Sequence, residues 1–235
     1  MSLSDVRLGL LWAQDLAPLM PVTTYLPLVR NVGWALVLAA LVGIAAHSAP
    51  LRPFRIPTRA LMVLVALWAC IPGTWGLSYW LGLAFQTPSL MAMVLSLQAI
   101  WQWLVHDRRQ LAAPEWVVNR SRRRGPCWSC RYAALGLLMG WLLLLDTFAY
   151  LPISLYVWGF SPWVFGLLWL LAMWPWVMGA RWSQSGPAPA LVVVLALYGL
   201  MRWPTGNVWD AVLDPWLFVG LHLYLFRRYR AYQSA

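Results

Sequence analysis

Residues 132–150 read YAALGLLMGWLLLLDTFAY and are the most diagnostic stretch of the chain. The one charged side chain in this run, Asp146, comes near its end. A helix needs about 20 mostly apolar residues to cross the hydrocarbon core of a bilayer. Gly136 and Gly140 are four positions apart, a spacing of small residues that is typical of helices packed closely against a neighbour. The stretch therefore predicts a transmembrane helix with a packing face.

The whole chain has the same character. Of its 235 residues, 62% are hydrophobic and 10% are charged, whereas about 25% of the residues in soluble domains are charged. The chain has 19 Trp residues, and Trp is favoured at the boundary between lipid and water. This composition excludes an ordinary soluble domain. It predicts an all-α fold, a polytopic bundle of transmembrane helices.

The chain offers seven apolar runs as candidate spans. The second is broken by Pro72-Gly73 and the seventh contains Pro215. Ala35, Ala39 and Gly43 give the first run a small-residue face like that of the fourth, so both helices are expected inside the bundle or at a subunit interface. The runs are 32–46 (extended by 26–29), 60–85, 89–105, 132–150, 163–179, 189–201 and 208–226.

The arginines give the orientation. All 17 basic residues are Arg, which suggests a bacterial source with a GC-rich genome. With the 107–131 segment in the cytoplasm, 14 arginines lie in inside segments and three, Arg7, Arg30 and Arg202, lie outside. Arg collects on the cytoplasmic side, so the amino terminus is expected outside and the carboxyl terminus inside. The predicted order is an outer interfacial segment (1–31), transmembrane helices 1–3 (32–106), a basic cytoplasmic loop (107–131), transmembrane helices 4–7 (132–226) and a basic cytoplasmic tail (227–235).

The first 30 residues leave the number of spans open. Residues 8–29 could form an eighth span, but Asp15 and the prolines, such as Pro18 and Pro21, argue against it because each Pro breaks the helical hydrogen-bond ladder. Six spans are the other alternative. The segment lacks the basic-then-apolar pattern of a cleavable signal peptide, so targeting is expected from the first transmembrane helix.

Four charged residues form a candidate polar site near the outer face. Asp146, Arg202, Asp210 and Asp214 are predicted at similar depth, with Asp210 and Asp214 four residues apart on one helical face. Such a cluster could serve a cation, a proton or a polar ligand. The alternative is structural: an ion pair between Arg202 and one carboxylate, with the other carboxylates in interfacial water.

Metal and cofactor sites receive little support. His47 and His106 end two spans on the inner side and are expected in water, and His222 lies one turn inside the seventh span. Two histidines could ligate a haem or a metal. Cys127 and Cys130 have the spacing of half a zinc site or a redox pair, but a zinc site needs two more ligands. The prediction is no cofactor and free thiols.

The basic loop is the largest cytoplasmic feature. Arg120, Arg122, Arg123 and Arg124 could dock a cytoplasmic partner or anionic lipid, or could simply fix the topology. The net charge of +10 is interpreted as arginines that collect in cytoplasmic loops and meet anionic lipid head groups. Nucleic acid is therefore not an expected partner.

No phosphate-binding loop, metalloprotease motif or nucleophile elbow is present in the sequence. The scarcity of polar residues within the spans, the small-residue packing faces and the basic inner loop favour a non-catalytic function: a permease component or an accessory subunit of a complex in the bacterial inner membrane. Two alternatives stay open. One is a small stand-alone transporter that uses the outer carboxylates. The other is a membrane enzyme or electron carrier that acts on lipid-linked or quinone-like substrates.

Overall fold

The computed structural model describes residues 25–46, 58–105, 128–180 and 186–233. Within these ranges the predicted all-α fold class is confirmed, since the regular elements are helices and none is a strand. The helices are α1 (Leu26–Ala46), α2 (Thr58–Cys70), α3 (Leu77–Phe85), α4 (Leu90–Val105), α5 (Trp128–Thr147), α6 (Leu155–Trp158), α7 (Pro162–Val177), α8 (Ala188–Met201), α9 (Val208–Val212) and α10 (Pro215–Gln233).

Helix α8 lies at the centre of the main core. Its buried residues Leu191, Val194, Leu195 and Tyr198 recur every three or four positions, so they form one face of the helix. That face packs against α4, α7 and α9. The core thus forms around a helix that has few polar groups of its own.

The two helices with small-residue faces have different surroundings. Helix α1 packs against α2, α3 and α4, and 44% of its apolar stretch is buried. Helix α5 packs mainly on α10, where Gly136 lies against Leu221 and Gly140 against Phe218, and 11% of its apolar stretch is buried. The expected close packing is present in α5, but this helix lies at the periphery of the described chain.

The second apolar run is interrupted between α2 and α3. The helix ends at Cys70, and a short 3-10 turn leads into α3. Two exposed indoles bind the carbonyl oxygens of this turn: Trp68 Nε1 donates to Trp75 O and Trp80 Nε1 donates to Thr74 O, both at 2.9 Å. A carbonyl group without a donor is costly in an apolar solvent. The neighbouring tryptophans therefore stabilise the break.

Three connections meet at one end of the bundle: residues 86–89, 148–161 and 202–214. Hydrogen bonds join them, among them Val208 N to Gly159 O at 3.0 Å. We call this end the acidic end, because the three carboxylates of the described ranges lie there. The opposite end contains the starts of α5 and α8, where Gly186 lies against Ser129. Five arginines of the described ranges lie toward the opposite end: Arg59, Arg131, Arg227, Arg228 and Arg230.

Two helices of the described ranges, α1 and α5, are long and apolar enough to cross a membrane. The other apolar helices, α2, α4, α7 and α8, are shorter.

Candidate functional site

The four residues of the predicted polar site all lie at the acidic end, but on different elements. Asp146 lies in the last turn of α5, and Arg202 ends α8. Asp210 lies in α9, and Asp214 immediately precedes α10. Their hydrogen-bond partners determine what each can do.

The prediction that Asp210 and Asp214 share one helical face is wrong. Helix α9 ends at Val212, and Leu213 is extended, with φ −130° and ψ 140°. Pro215 is the first residue of α10, where its fixed φ and missing N–H are compatible with a helix start. The run at 208–226 is therefore two helices, with Asp214 in the N-cap position between them.

Asp214 binds the starts of two helices. Its Oδ1 accepts the backbone N–H of Leu217 at 2.6 Å, in the first turn of α10. Its Oδ2 accepts the backbone N–H of Ser89 at 2.8 Å, at the start of α4. Ser89 in turn accepts Ala92 N–H with its own hydroxyl at 3.0 Å. Because each helix start carries about half a positive charge, two of them largely offset the charge of one carboxylate.

Asp210 accepts two hydroxyl groups. Its Oδ2 accepts the phenol of Tyr156 at 2.7 Å and the hydroxyl of Thr205. Partial burial, and secondly the hydrogen bond to Asp210, raise the pKa of the Tyr156 phenol to about 12. The phenol therefore stays protonated at neutral pH and donates to the carboxylate.

Asp146 stabilises the connection that follows α5. Its Oδ2 accepts the backbone N–H of Tyr156 at 2.7 Å and the hydroxyl of Ser154 at 3.4 Å. These contacts lie at the start of the short helix α6, which is the usual position of a capping carboxylate.

The structural alternative for the polar site, an ion pair between Arg202 and a carboxylate, does not occur among the residues that the structure describes. Arg202 closes α8 in a left-handed conformation, with φ 54°. Its guanidinium lies over two rings, 5.2 Å from the ring centroid of Tyr198 and 5.8 Å from that of Phe165. Its Nη1 is 3.5 Å from the Tyr198 hydroxyl, and its Nε is buried without a hydrogen-bond partner in the described ranges. Aromatic faces, and not a carboxylate, hold this cation.

Asn207 is a buried polar residue that the sequence reasoning missed. Its Oδ1 accepts Trp209 N–H at 2.9 Å, and its Nδ2 donates to Tyr156 O at 2.9 Å. A side chain at Gly159 would collide with the Asn207 amide, so glycine is needed for this close approach. The signal was present in the sequence, since Asn directly before an apolar helical segment is a common N-cap.

Arg30 was assigned to the outer segment, but it lies in the second turn of α1. Its Nε is buried and has no hydrogen-bond partner among the described residues. Its side chain extends across Gly82 of α3, where a Cβ would lie 2.6 Å from Arg30 Cδ. Arg30, Asp210 and Asp214 line one cavity of about 430 Å³ at the acidic end.

The candidate metal ligands do not converge within the described ranges. His222 Nδ1 is 2.9 Å from Phe218 O, and its ring packs edge-on against Phe218 and Trp141. Cys130 Sγ lies 3.9 Å from Tyr224 OH. No group of three or more His, Cys, Asp or Glu side chains in this part of the chain could hold a metal ion. Three further candidate ligands, His47, His106 and Cys127, lie outside the described residues. The arginines proposed to dock a partner or anionic lipid also lie outside them: Arg120, Arg122, Arg123 and Arg124.

Comparison with known proteins gives no match. No protein-family model, no curated protein and no solved structure is similar to this chain.

Proposed function

We propose that this chain is a multi-pass protein of the bacterial inner membrane with seven helical passes. In this arrangement the acidic end faces outward and the carboxyl terminus lies in the cytoplasm. The passes are α1, α2 with α3, α4, α5, α7, α8 and α10. Supporting this proposal, the connections alternate between the two ends. The carboxylates of the described ranges lie at one end and most of their arginines at the other.

The short helices are compatible with this arrangement. Helix α8 has 14 residues and is about 21 Å long at 1.5 Å per residue, whereas the hydrocarbon core is about 30 Å thick. Six of the 14 residues of α8 are buried by its neighbours, which reduces its contact with lipid. Exposed apolar side chains on the surrounding helices, such as Leu67, Leu138 and Leu170, would face the lipid. Local bilayer thinning accommodates the remaining mismatch.

We further propose a non-catalytic role, as a permease component or an accessory subunit of a membrane complex. The observation that carries this proposal is the use of the polar groups at the acidic end. Asp146, Asn207 and Asp214 each accept backbone N–H groups at helix starts, so they serve the architecture. The second support is α5, whose apolar length is largely uncovered by the described residues and is available to another subunit.

The subunit proposal is tested with a photo-crosslinking residue placed at Leu138 or Leu145 on the exposed face of α5. The matched control is the same residue at Val194, which is completely buried in α8. We expect the α5 positions to form a crosslink to a different polypeptide in membranes, and the same polypeptide to co-purify with a tagged chain in mild detergent. A chain that purifies alone and forms no crosslink from α5 would contradict a subunit role.

One observation favours a second candidate, a small stand-alone transporter. The cavity at the acidic end lies between the start of α1, the end of α3 and the connection at 204–215, and it is lined by charged residues. Uptake of a solute by proteoliposomes that contain only this chain would support the transporter over the subunit.

A further inference from the structure

The cavity at the acidic end is large enough to hold a small molecule. Its volume of about 430 Å³ lies within the usual range of ligand pockets. The polar residues Arg30, Thr205 and Asp210 line it together with the apolar residues Phe85 and Leu213. Such a mixture fits a ligand that has both charged groups and carbon atoms.

Two opposite charges in this cavity have unused hydrogen-bonding capacity. Arg30 lines the cavity, and its guanidinium forms no hydrogen bond or ion pair with the described residues. Asp210 receives both of its hydroxyl donors on Oδ2, and within the described ranges no donor binds its Oδ1. Asp214 also lines the cavity, but two helix starts already offset its charge. The charges that remain to interact with a ligand are therefore one cation, Arg30, and one anion, Asp210.

We propose that this cavity binds a small zwitterion, with the anionic group of the ligand on Arg30 and its ammonium group on Asp210. A simple anion or a simple cation would satisfy only one of the two charges and leave the other partly buried without a partner. Guanidinium groups bind carboxylates and phosphates with strong charge-assisted hydrogen bonds, and carboxylates bind ammonium groups in the same way. The carbon atoms between the two groups contact Phe85 and Leu213. This inference does not depend on whether the chain is a subunit or acts alone.

Two sources share this chemistry: a free α-amino acid, and the ethanolamine phosphate headgroup of a phospholipid. The full-length protein in detergent is titrated by calorimetry with glycine, L-alanine and L-leucine in one arm, and with phosphorylethanolamine in the other. Propionate and ethylamine serve as half-ligands. We expect at least one zwitterion to bind, and both half-ligands to bind more weakly by about tenfold or more. Binding in one arm only assigns the source, whereas equal binding of a half-ligand, or no binding in either arm, overturns the proposal.

Variants identify the residues. Arg30→Gln and Asp210→Asn should each weaken zwitterion binding by about tenfold or more, while the control Arg59→Gln, at an exposed arginine of the opposite end, should leave it unchanged. Gly82→Ala keeps every charge but displaces the Arg30 side chain, because its Cβ would lie 2.6 Å from Arg30 Cδ. It should also weaken binding, with an unchanged circular dichroism spectrum. Wild-type affinity in Arg30→Gln or in Asp210→Asn would refute the site.

Discussion

The carboxylate of Asp214 accepts the backbone N–H of Ser89 at 2.8 Å, across 125 positions of sequence. The same carboxylate caps α10 through Leu217 N at 2.6 Å. One side chain therefore holds the start of α4 against the start of α10. This relationship makes Asp214 a structural residue whose removal leaves two helix starts without their acceptor.

We predict that Asp214→Ala lowers the free energy of unfolding by about 2 kcal/mol, since loss of one N-cap costs about 1 kcal/mol. Asp214→Asn should have an intermediate effect, because its single carbonyl oxygen can cap only one of the two helices. The measurement is denaturant unfolding in a defined detergent and lipid mixture. Asp146→Ala is the matched control, since Asp146 caps only the four-residue helix α6, and it should cost less. Equal stability of Asp214→Ala and the wild type would show that the two caps contribute nothing.

The break between α2 and α3 gives a second prediction. Trp68→Phe and Trp80→Phe keep the aromatic rings but remove the N–H groups that bind Trp75 O and Thr74 O. Each change should cost about 1–2 kcal/mol of stability in a bilayer, because it leaves a carbonyl without a donor. Trp163→Phe is the control, at an exposed indole for which the described residues provide no acceptor. If Trp163→Phe costs as much as Trp68→Phe, the indole hydrogen bonds are not the cause.

The contact between α5 and α10 gives a third prediction. A Cβ at Gly140 would lie 2.6 Å from Phe218 Cε2, whereas nothing lies within 4 Å of a Cβ at Gly220. Overpacking lowers the free energy of unfolding by about 1–3 kcal/mol. Replacing a helical Gly with Ala raises it by about 1 kcal/mol. Gly140→Ala should therefore destabilise the protein or leave it unchanged, while Gly220→Ala should stabilise it slightly. The measurement is unfolding of the two single variants and of the double variant Gly140→Ala, Phe218→Leu. If the clash with the Phe218 ring is the cause, Phe218→Leu should restore the stability that Gly140→Ala loses.

Sequence reasoning identified the helices because length and apolar character are local properties. It did not separate α9 from α10, although the Asp214-Pro215 pair has the chemistry of an N-cap followed by a first helical residue. Treating residues 208–226 as one helix that contains Pro215 led to the wrong prediction that Asp210 and Asp214 share a face. Arg30 was overlooked because the count of charges assigned it to the outer interfacial segment, whereas it is a residue of helix α1.

The partners of the polar residues have no local signature. The bond from Ser89 to Asp214 joins residues 125 positions apart, and that from Tyr156 to Asp210 joins residues 54 positions apart. The sequence placed these carboxylates near one end of the bundle. It could not show that Asp214 binds helix starts, or that Arg202 lies over Phe165 and Tyr198.

The proposed membrane arrangement is best tested by reporter fusions that distinguish the periplasm from the cytoplasm. We predict periplasmic signals after Gln86 and Thr205, two residues of the acidic end, and cytoplasmic signals after Arg59, Arg124, Arg181 and the carboxyl terminus. The physical reason is the distribution of 14 arginines inside against three outside. A periplasmic signal after Arg124, or the same signal after Arg59 and Gln86, would contradict the seven-pass arrangement with an outward acidic end.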